Sequence, residues 1–303
     1  MTERTLRRLL GALVAVAGLW LVASLIPRGG GTADAPSGLG SAFEGVDATS
    51  VTAVRFMRIE DTIELRPEAG SWRVNGWQAD SGSVARFFEA VAEASVGELM
   101  ATNPGNHERM GVAGDSARTL EIELGGATRT LVVGNEGPRP TTAYARLPGE
   151  NEVYLLESGL GSHLRRRLND WRNRRVLAID TSAVSRITVQ RDGDTFTLVR
   201  ESGEWTFEDG GEASSSQVQS ILSEMSGSLV ASSVVPEGDP LADQPAGGST
   251  VAYSQSGEVV AEVTIGNTEG GWWATAAGDS VRYRIGSFRA DLITPTLESV
   301  RPQ

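Results

Sequence analysis

Between residues 51 and 300 the chain passes through one series of elements twice, and this internal repeat restricts the fold more than any single motif. The first copy reads VTAVRFMR, TIELRP, GSWRVNGW, a helix-like stretch, RTLEIELGGATRTLVVGN, TAYARL and EVYLL. The second reads VSRITVQR, DTFTLVR, GEWTFEDG, a helix-like stretch, STVAYSQSGEVVAEVTIGN, WWATAA, VRYRI and SFRADLI. Trp72 and Trp205 lie 133 positions apart, Gly134-Asn135 and Gly266-Asn267 132, and Tyr154 and Tyr283 129. So small a drift over a whole unit points to duplication of one module.

Each copy predicts the same parts. Alternation at Val54–Phe56 and Ile63–Leu65 across a polar turn signals a half-buried hairpin. Apolar residues Val84, Phe87, Phe88, Val91, Ala94 and Val96 predict a helix over Ser83–Leu99, with Ser83 as its N-cap. Val218, Ile221, Leu222, Met225 and Leu229 predict its counterpart over Ser214–Leu229. Gly125-Gly126 suits a two-residue hairpin turn, and Gln255-Ser256-Gly257 occupies the matching place. The expected fold class is α+β: an N-terminal transmembrane helix, then two tandem copies of an antiparallel-sheet-plus-helix module, at residues 46–175 and 176–303. Trp72 and Trp205 are expected in the cores. The pattern leaves open whether the two sheets join.

Ahead of the repeat, residues 1–8 hold Arg4, Arg7 and Arg8, and residues 9–26 form an uncharged run, LLGALVAVAGLWLVASLI. At about 1.5 Å rise per residue this run reaches roughly 27 Å, enough for a thin hydrocarbon core. Arginines on its N-terminal side place that end in the cytoplasm and the bulk of the chain outside it, at a bacterial cytoplasmic membrane. A cleaved signal peptide is the competing reading. Residues 27–45, rich in Gly, Ala, Pro and Ser, are expected to form a flexible linker.

Charge and composition exclude several functions. Of 27 basic residues, all Arg, four lie in residues 1–28 with one of the 39 acids; the remainder carries 23 against 38, about −15. Such a surface repels nucleic acid, so no nucleic-acid partner is expected. Zero Cys removes disulfides, thiolate nucleophiles and thiolate metal ligands together. His107 sits in a Pro/Gly loop without the second histidine of a zinc helix, and His163 is expected on a helix surface. Asp192-Gly193-Asp194 falls where the repeat requires a hairpin turn. Gly114-Asp115-Ser116 and Gly278-Asp279-Ser280 lack the second Gly of a nucleophile elbow, and no Gly-rich run ends in the Lys-Ser/Thr of a phosphate loop. No catalytic, metal or cofactor site is expected, and the chain reads as a non-enzyme.

Two features stand above that background. Arg165, Arg166, Arg167, Arg172, Arg174 and Arg175 crowd one short segment, with Leu160, Leu164, Leu168 and Trp171 between them at helical spacing. These arginines pair with neighbouring acids, form salt bridges between the modules they join, or make a docking patch for an acidic partner or anionic ligand. The second is Trp272-Trp273, whose side chains leave opposite faces of a strand, so that one of them is exposed as a partner contact, or else covers an edge or packs between the modules.

The order Trp72-Arg73-Val74, a helix, Thr119–Asn135, Tyr144–Leu147, Val153–Leu156 and Trp171–Leu177 resembles the bacterial domain-of-unknown-function 4340 family over about residues 51–300. The resemblance implies a membrane-attached extracytoplasmic protein accompanying an ABC-type transporter of the kind linked to gliding motility, and it supplies no catalytic residues. The expected function is a scaffold or accessory subunit of a cell-envelope transport or motility assembly. The alternative is a binding module for an anionic glycan or small ligand between the two repeats.

Overall fold

A computed structural model of the chain describes residues 37–302 apart from Glu237 and Glu269. The apolar run at 9–26 and residues 27–36 of the linker lie outside the described residues. Among the described residues no helix is long and apolar enough to cross a membrane. The chain divides into two compact units between Trp171 and Arg172, four residues ahead of the boundary expected after Arg175.

The first unit contains, in chain order, α1 (Ser37–Ser41), β1 (Val51–Met57), β2 (Thr62–Glu68), β3 (Ser71–Val74), β4 (Trp77–Gln78), α2 (Ser81–Ala92) and β5 (Ser95–Ala101). It continues with β6 (Arg118–Leu124), β7 (Ala127–Glu136), β8 (Thr142–Arg146), β9 (Val153–Glu157), α3 (Leu160–Leu164) and α4 (Leu168–Trp171). Its strands form one antiparallel sheet in the order β4-β3-β2-β1-β6-β7-β8-β9-β5.

The second unit contains β10 (Val184–Arg191), β11 (Asp194–Glu201), β12 (Glu204–Phe207), α5 (Ser215–Ser223) and β13 (Ser233–Val234). After them come β14 (Gly248–Ser254), β15 (Val259–Thr268), β16 (Gly271–Ala276), β17 (Tyr283–Ile285), α6 (Ser287–Ile293) and α7 (Leu297–Val300). Its sheet runs β12-β11-β10-β14-β15-β16-β17-β13. Without β4, the first order is the second one strand for strand, so the duplicated sequence folds as a duplicated antiparallel topology, with one sheet in each unit.

Local chemistry explains the hairpins. Gly125-Gly126 (φ 59° and 81°) and Asp192-Gly193 (φ 53° and 91°) both turn through the left-handed region, as a two-residue turn matched to strand twist requires. Phe56 pairs with Ile63 and Val54 with Leu65, so all four face one side of the sheet and are buried. On that side lies α2, whose Val84, Phe87, Phe88 and Val91 form the buried stripe. Each such side chain contributes about 1.5–3 kcal/mol by leaving water. Phe87 meets Phe56 edge-on at 5.2 Å and Trp171 at 5.9 Å.

Several expectations need correction. Asp80, not Ser83, caps α2, its carboxylate accepting from the Ser83 N–H at 2.7 Å. The predicted helix over 83–99 stops at Ala92, and Ser95–Ala101 instead forms an edge strand on β9. Its second-copy counterpart stops at Ser223 and passes into a π-turn over 224–228 that ends around Gly227 (φ 118°). Residues 37–45 of the expected linker are folded: Leu39 is buried in the first core and Phe43 packs beside it, four residues on. Arg129 Nη1 also donates to the Ser41 carbonyl at 3.0 Å. Trp72 and Trp205 are only half-buried.

In each unit the connection between the short edge strand and the next long strand covers part of the sheet's second face. Met110 and Val112 pack there with Val132 and Val153 in the first unit, and Val235 and Leu241 with Trp273 in the second.

Candidate functional site

The arginine-rich segment is not one helix. Leu160, Leu164 and Trp171 are buried as their spacing implies, but α3 ends at Leu164 and α4 begins at Leu168. Arg165, Arg166 and Arg167 form the bend between them, while Arg172, Arg174 and Arg175 follow Trp171 without helix and belong to the second unit.

Each guanidinium has its own surroundings. Arg165 donates to Glu136 at 2.6 Å and lines a cleft of about 180 Å³ with Arg139, Thr142 and Ser162. Arg139 on the same rim pairs with Glu157, so the cleft's two cations are matched by two acids. Arg166 lies 5.4 Å from the centre of the Trp171 ring, and its burial, reinforced by Arg86, lowers its pKa. Burial likewise lowers that of Arg172. Arg174 donates to the carbonyls of Ala231 (3.2 Å) and Ser232 (3.1 Å), tying its own strand-like segment to the chain ahead of β13. Arg167 and Arg175 are exposed.

The tryptophan pair divides as strand geometry requires. Trp273 is buried on the second sheet face against Val235 and Leu241, with the Arg282 guanidinium 4.0 Å from its ring centre. Arg282 also donates to the carbonyls of Leu241 (3.0 Å) and Gln244 (2.7 Å), which holds the covering loop down. Trp272 is half-buried, 5.2 Å from Arg191, whose guanidinium pairs with Asp291 and donates to the Thr294 carbonyl. Both rings serve packing.

The histidines are both buried. His107 Nε2 lies 3.0 Å from the Asn151 carbonyl. His163, expected on a helix surface, sits instead in the first core beside Phe87 and Trp171, each ring about 6.0 Å away. Burial, with Arg166 and Arg86 adding repulsion, pushes its imidazole down to about 4. A histidine whose folded pKa is depressed contributes its stability fully above the unfolded value near 6.5, and that contribution is lost as pH falls toward 4. The first unit should therefore lose about 3 kcal/mol over that window. Urea unfolding of the wild type and of His163→Leu, the residue type at the repeat-equivalent Leu292, should diverge below pH 6.5. Parallel pH profiles for the two proteins would exclude this role for His163.

Among the described residues no group of three His, Cys, Asp or Glu is placed to hold a metal. Two hollows flank β12 in the second unit. One of about 700 Å³ runs along Trp205 toward α5, and one of about 590 Å³ lies at Phe207–Glu212 beside α7. Neither hollow is visible in the sequence, which predicts Trp205 in the core. The available signal was a comparison of the copies, which places Leu222 where the first has Phe88.

Residues 72–248, more than half of the chain, match the family model described as Domain of unknown function (DUF4340). No curated protein and no solved structure matches the chain. The match starts at Trp72 in β3, crosses the arginine-rich segment and ends at Gly248, where β14 begins, so it takes in parts of both units. A match over more than half of the chain places it in the DUF4340 family.

Proposed function

We propose that this chain is a membrane-anchored, extracytoplasmic and non-enzymatic accessory subunit of a cell-envelope transport or motility assembly, which presents protein surface to a partner. The observation that carries this reading is the exposure of Arg167 and Arg175 on a chain otherwise rich in acids. Arg165, Arg166 and Arg174 are occupied by Glu136, Trp171 and main-chain carbonyls and Arg172 is half-buried, which leaves Arg167 and Arg175 as the segment's cations directed to water. An exposed guanidinium offers bidentate donors to a partner's carboxylate. The apolar run at 9–26 behind Arg4, Arg7 and Arg8 supports attachment to the cytoplasmic membrane. The family resemblance supports an ABC-type transporter as the assembly.

The test is co-purification of the full chain from detergent-solubilised membranes of its source, with Arg167→Glu and Arg175→Glu combined as the variant. Recovery of permease and ATPase subunits should fall about tenfold, the effect of losing roughly 1.4 kcal/mol of interface energy. Undiminished recovery, or no transporter subunit with the wild type, would overturn the proposal.

A further inference from the structure

The duplication supplies an internal comparison that no single unit offers. In the first unit two aromatic side chains close the sheet end over α2. Phe88 lies 5.2 Å from Trp72, and Trp77 stands opposite Val74 in the β3–β4 pair, packed on the same core. In the second unit Trp205 and Phe207 repeat Trp72 and Val74 at an offset of 133, and Thr206 pairs with Glu212 much as Arg73 pairs with Gln78. The two closing rings are missing. Leu222 stands for Phe88 and Gly211 for Trp77, both at an offset of 134.

The consequence is the groove of about 700 Å³ along the half-buried Trp205, with Val218 and Leu222 beside it. Its rim carries Asp180, Glu204 and Glu212 against the lone cation Arg200. Neither Glu204 nor Glu212 forms an ion pair among the described residues, so the countercharge there is left to solvent or a ligand. An apolar strip of Trp205, Val218 and Leu222 within an otherwise polar groove, under a rim of net negative charge, selects an aromatic group delivered beside a positive one.

We infer that the second unit carries a docking groove for a partner polypeptide, which inserts an aromatic side chain flanked by Arg or Lys against Trp205. This site is separate from the exposed arginines, and its failure would leave the membrane-subunit reading untouched.

The probe is the peptide acetyl-Arg-Trp-Arg-amide titrated into the full chain in detergent, with acetyl-Glu-Trp-Glu-amide as the charge-reversed control. Saturable binding of the first is expected, with the second at least about tenfold weaker. Leu222→Phe, which reinstates the ring of the first unit, should weaken binding by about tenfold while the thermal midpoint holds or rises. Glu204→Gln with Glu212→Gln, both at the rim, should weaken it while leaving Trp205 in place. Absence of saturable binding, equal affinity for the two peptides, or undiminished affinity in Leu222→Phe would each overturn the inference. Selective binding of a neutral disaccharide would also overturn it, by assigning the groove to a sugar.

Discussion

Arg289→Leu is expected to destabilise the second unit by about 3 kcal/mol, and adding Glu224→Ala should return most of that loss. Glu224 lies at the end of α5 with its side chain 3% exposed, paired through one oxygen with Arg289 of α6. Its other oxygen has no hydrogen-bond partner among the described residues. Burial raises the carboxyl's pKa, and the Arg289 pairing only partly counters it. Removing the arginine alone therefore leaves a buried charge without its counterion. At the repeat-equivalent positions the first unit holds Ala90 and Leu160, both buried, so the fold accepts an apolar pair. The loss in Arg289→Leu carries a pH signature: a group with a raised folded pKa penalises the folded state only as pH climbs above the unfolded value of 4.5. Urea midpoints for the single and double variants between pH 4.5 and 8 would show it. A single variant as stable as the wild type at pH 8 would refute the argument.

Gly134→Ala and Gly266→Ala should each cost about 3 kcal/mol, for different reasons that a second substitution separates. These glycines open the Gly-Asn pair that first revealed the repeat. A Cβ on Gly134 would stand 2.2 Å from the Met110 carbonyl oxygen and 2.8 Å from the Gly111 carbonyl carbon, where the covering loop's backbone crosses β7. A Cβ on Gly266 would stand 2.5 Å from the Trp273 ring, which Val235 and Leu241 hold in place. Shortening the obstacle with Trp273→Phe should make the Gly266→Ala penalty smaller in the double variant than in the single one. Nothing equivalent relieves Gly134, because the obstruction there is main chain. Melting curves of the four proteins in the Gly266/Trp273 cycle would test the coupling, and strict additivity would show that the ring is not what excludes a side chain.

Much of the fold was readable in the residues because hairpins and helix faces are written in short-range patterns. Asp192-Gly193 and Gly125-Gly126 specify left-handed turns by themselves, and Val84, Phe87, Phe88 and Val91 mark the buried stripe of α2 without reference to what it packs on. Element ends were less legible. Val96 continues the apolar spacing of α2, but Ser95–Ala101 is claimed by β9 through pairings such as Ser95 with Glu157. Local periodicity carries no record of a strand about sixty residues away.

The candidate sites depended on tertiary structure more heavily still. Six arginines in one segment look like a surface in sequence, yet Glu136 and the carbonyls of Ala231 and Ser232 engage two of them from positions that only folding brings near, and the bend after α3 sets a third over Trp171. His163 reads as a surface residue in sequence because the aromatic partners that bury it come from α2 and α4. By itself the sequence determined the duplication, the antiparallel strand content and the family to which the chain belongs. Tertiary structure decided which charges stay in water and which ring positions stand open, because burial and ion pairing are set by whatever the fold brings within a few ångströms, whatever its distance along the chain.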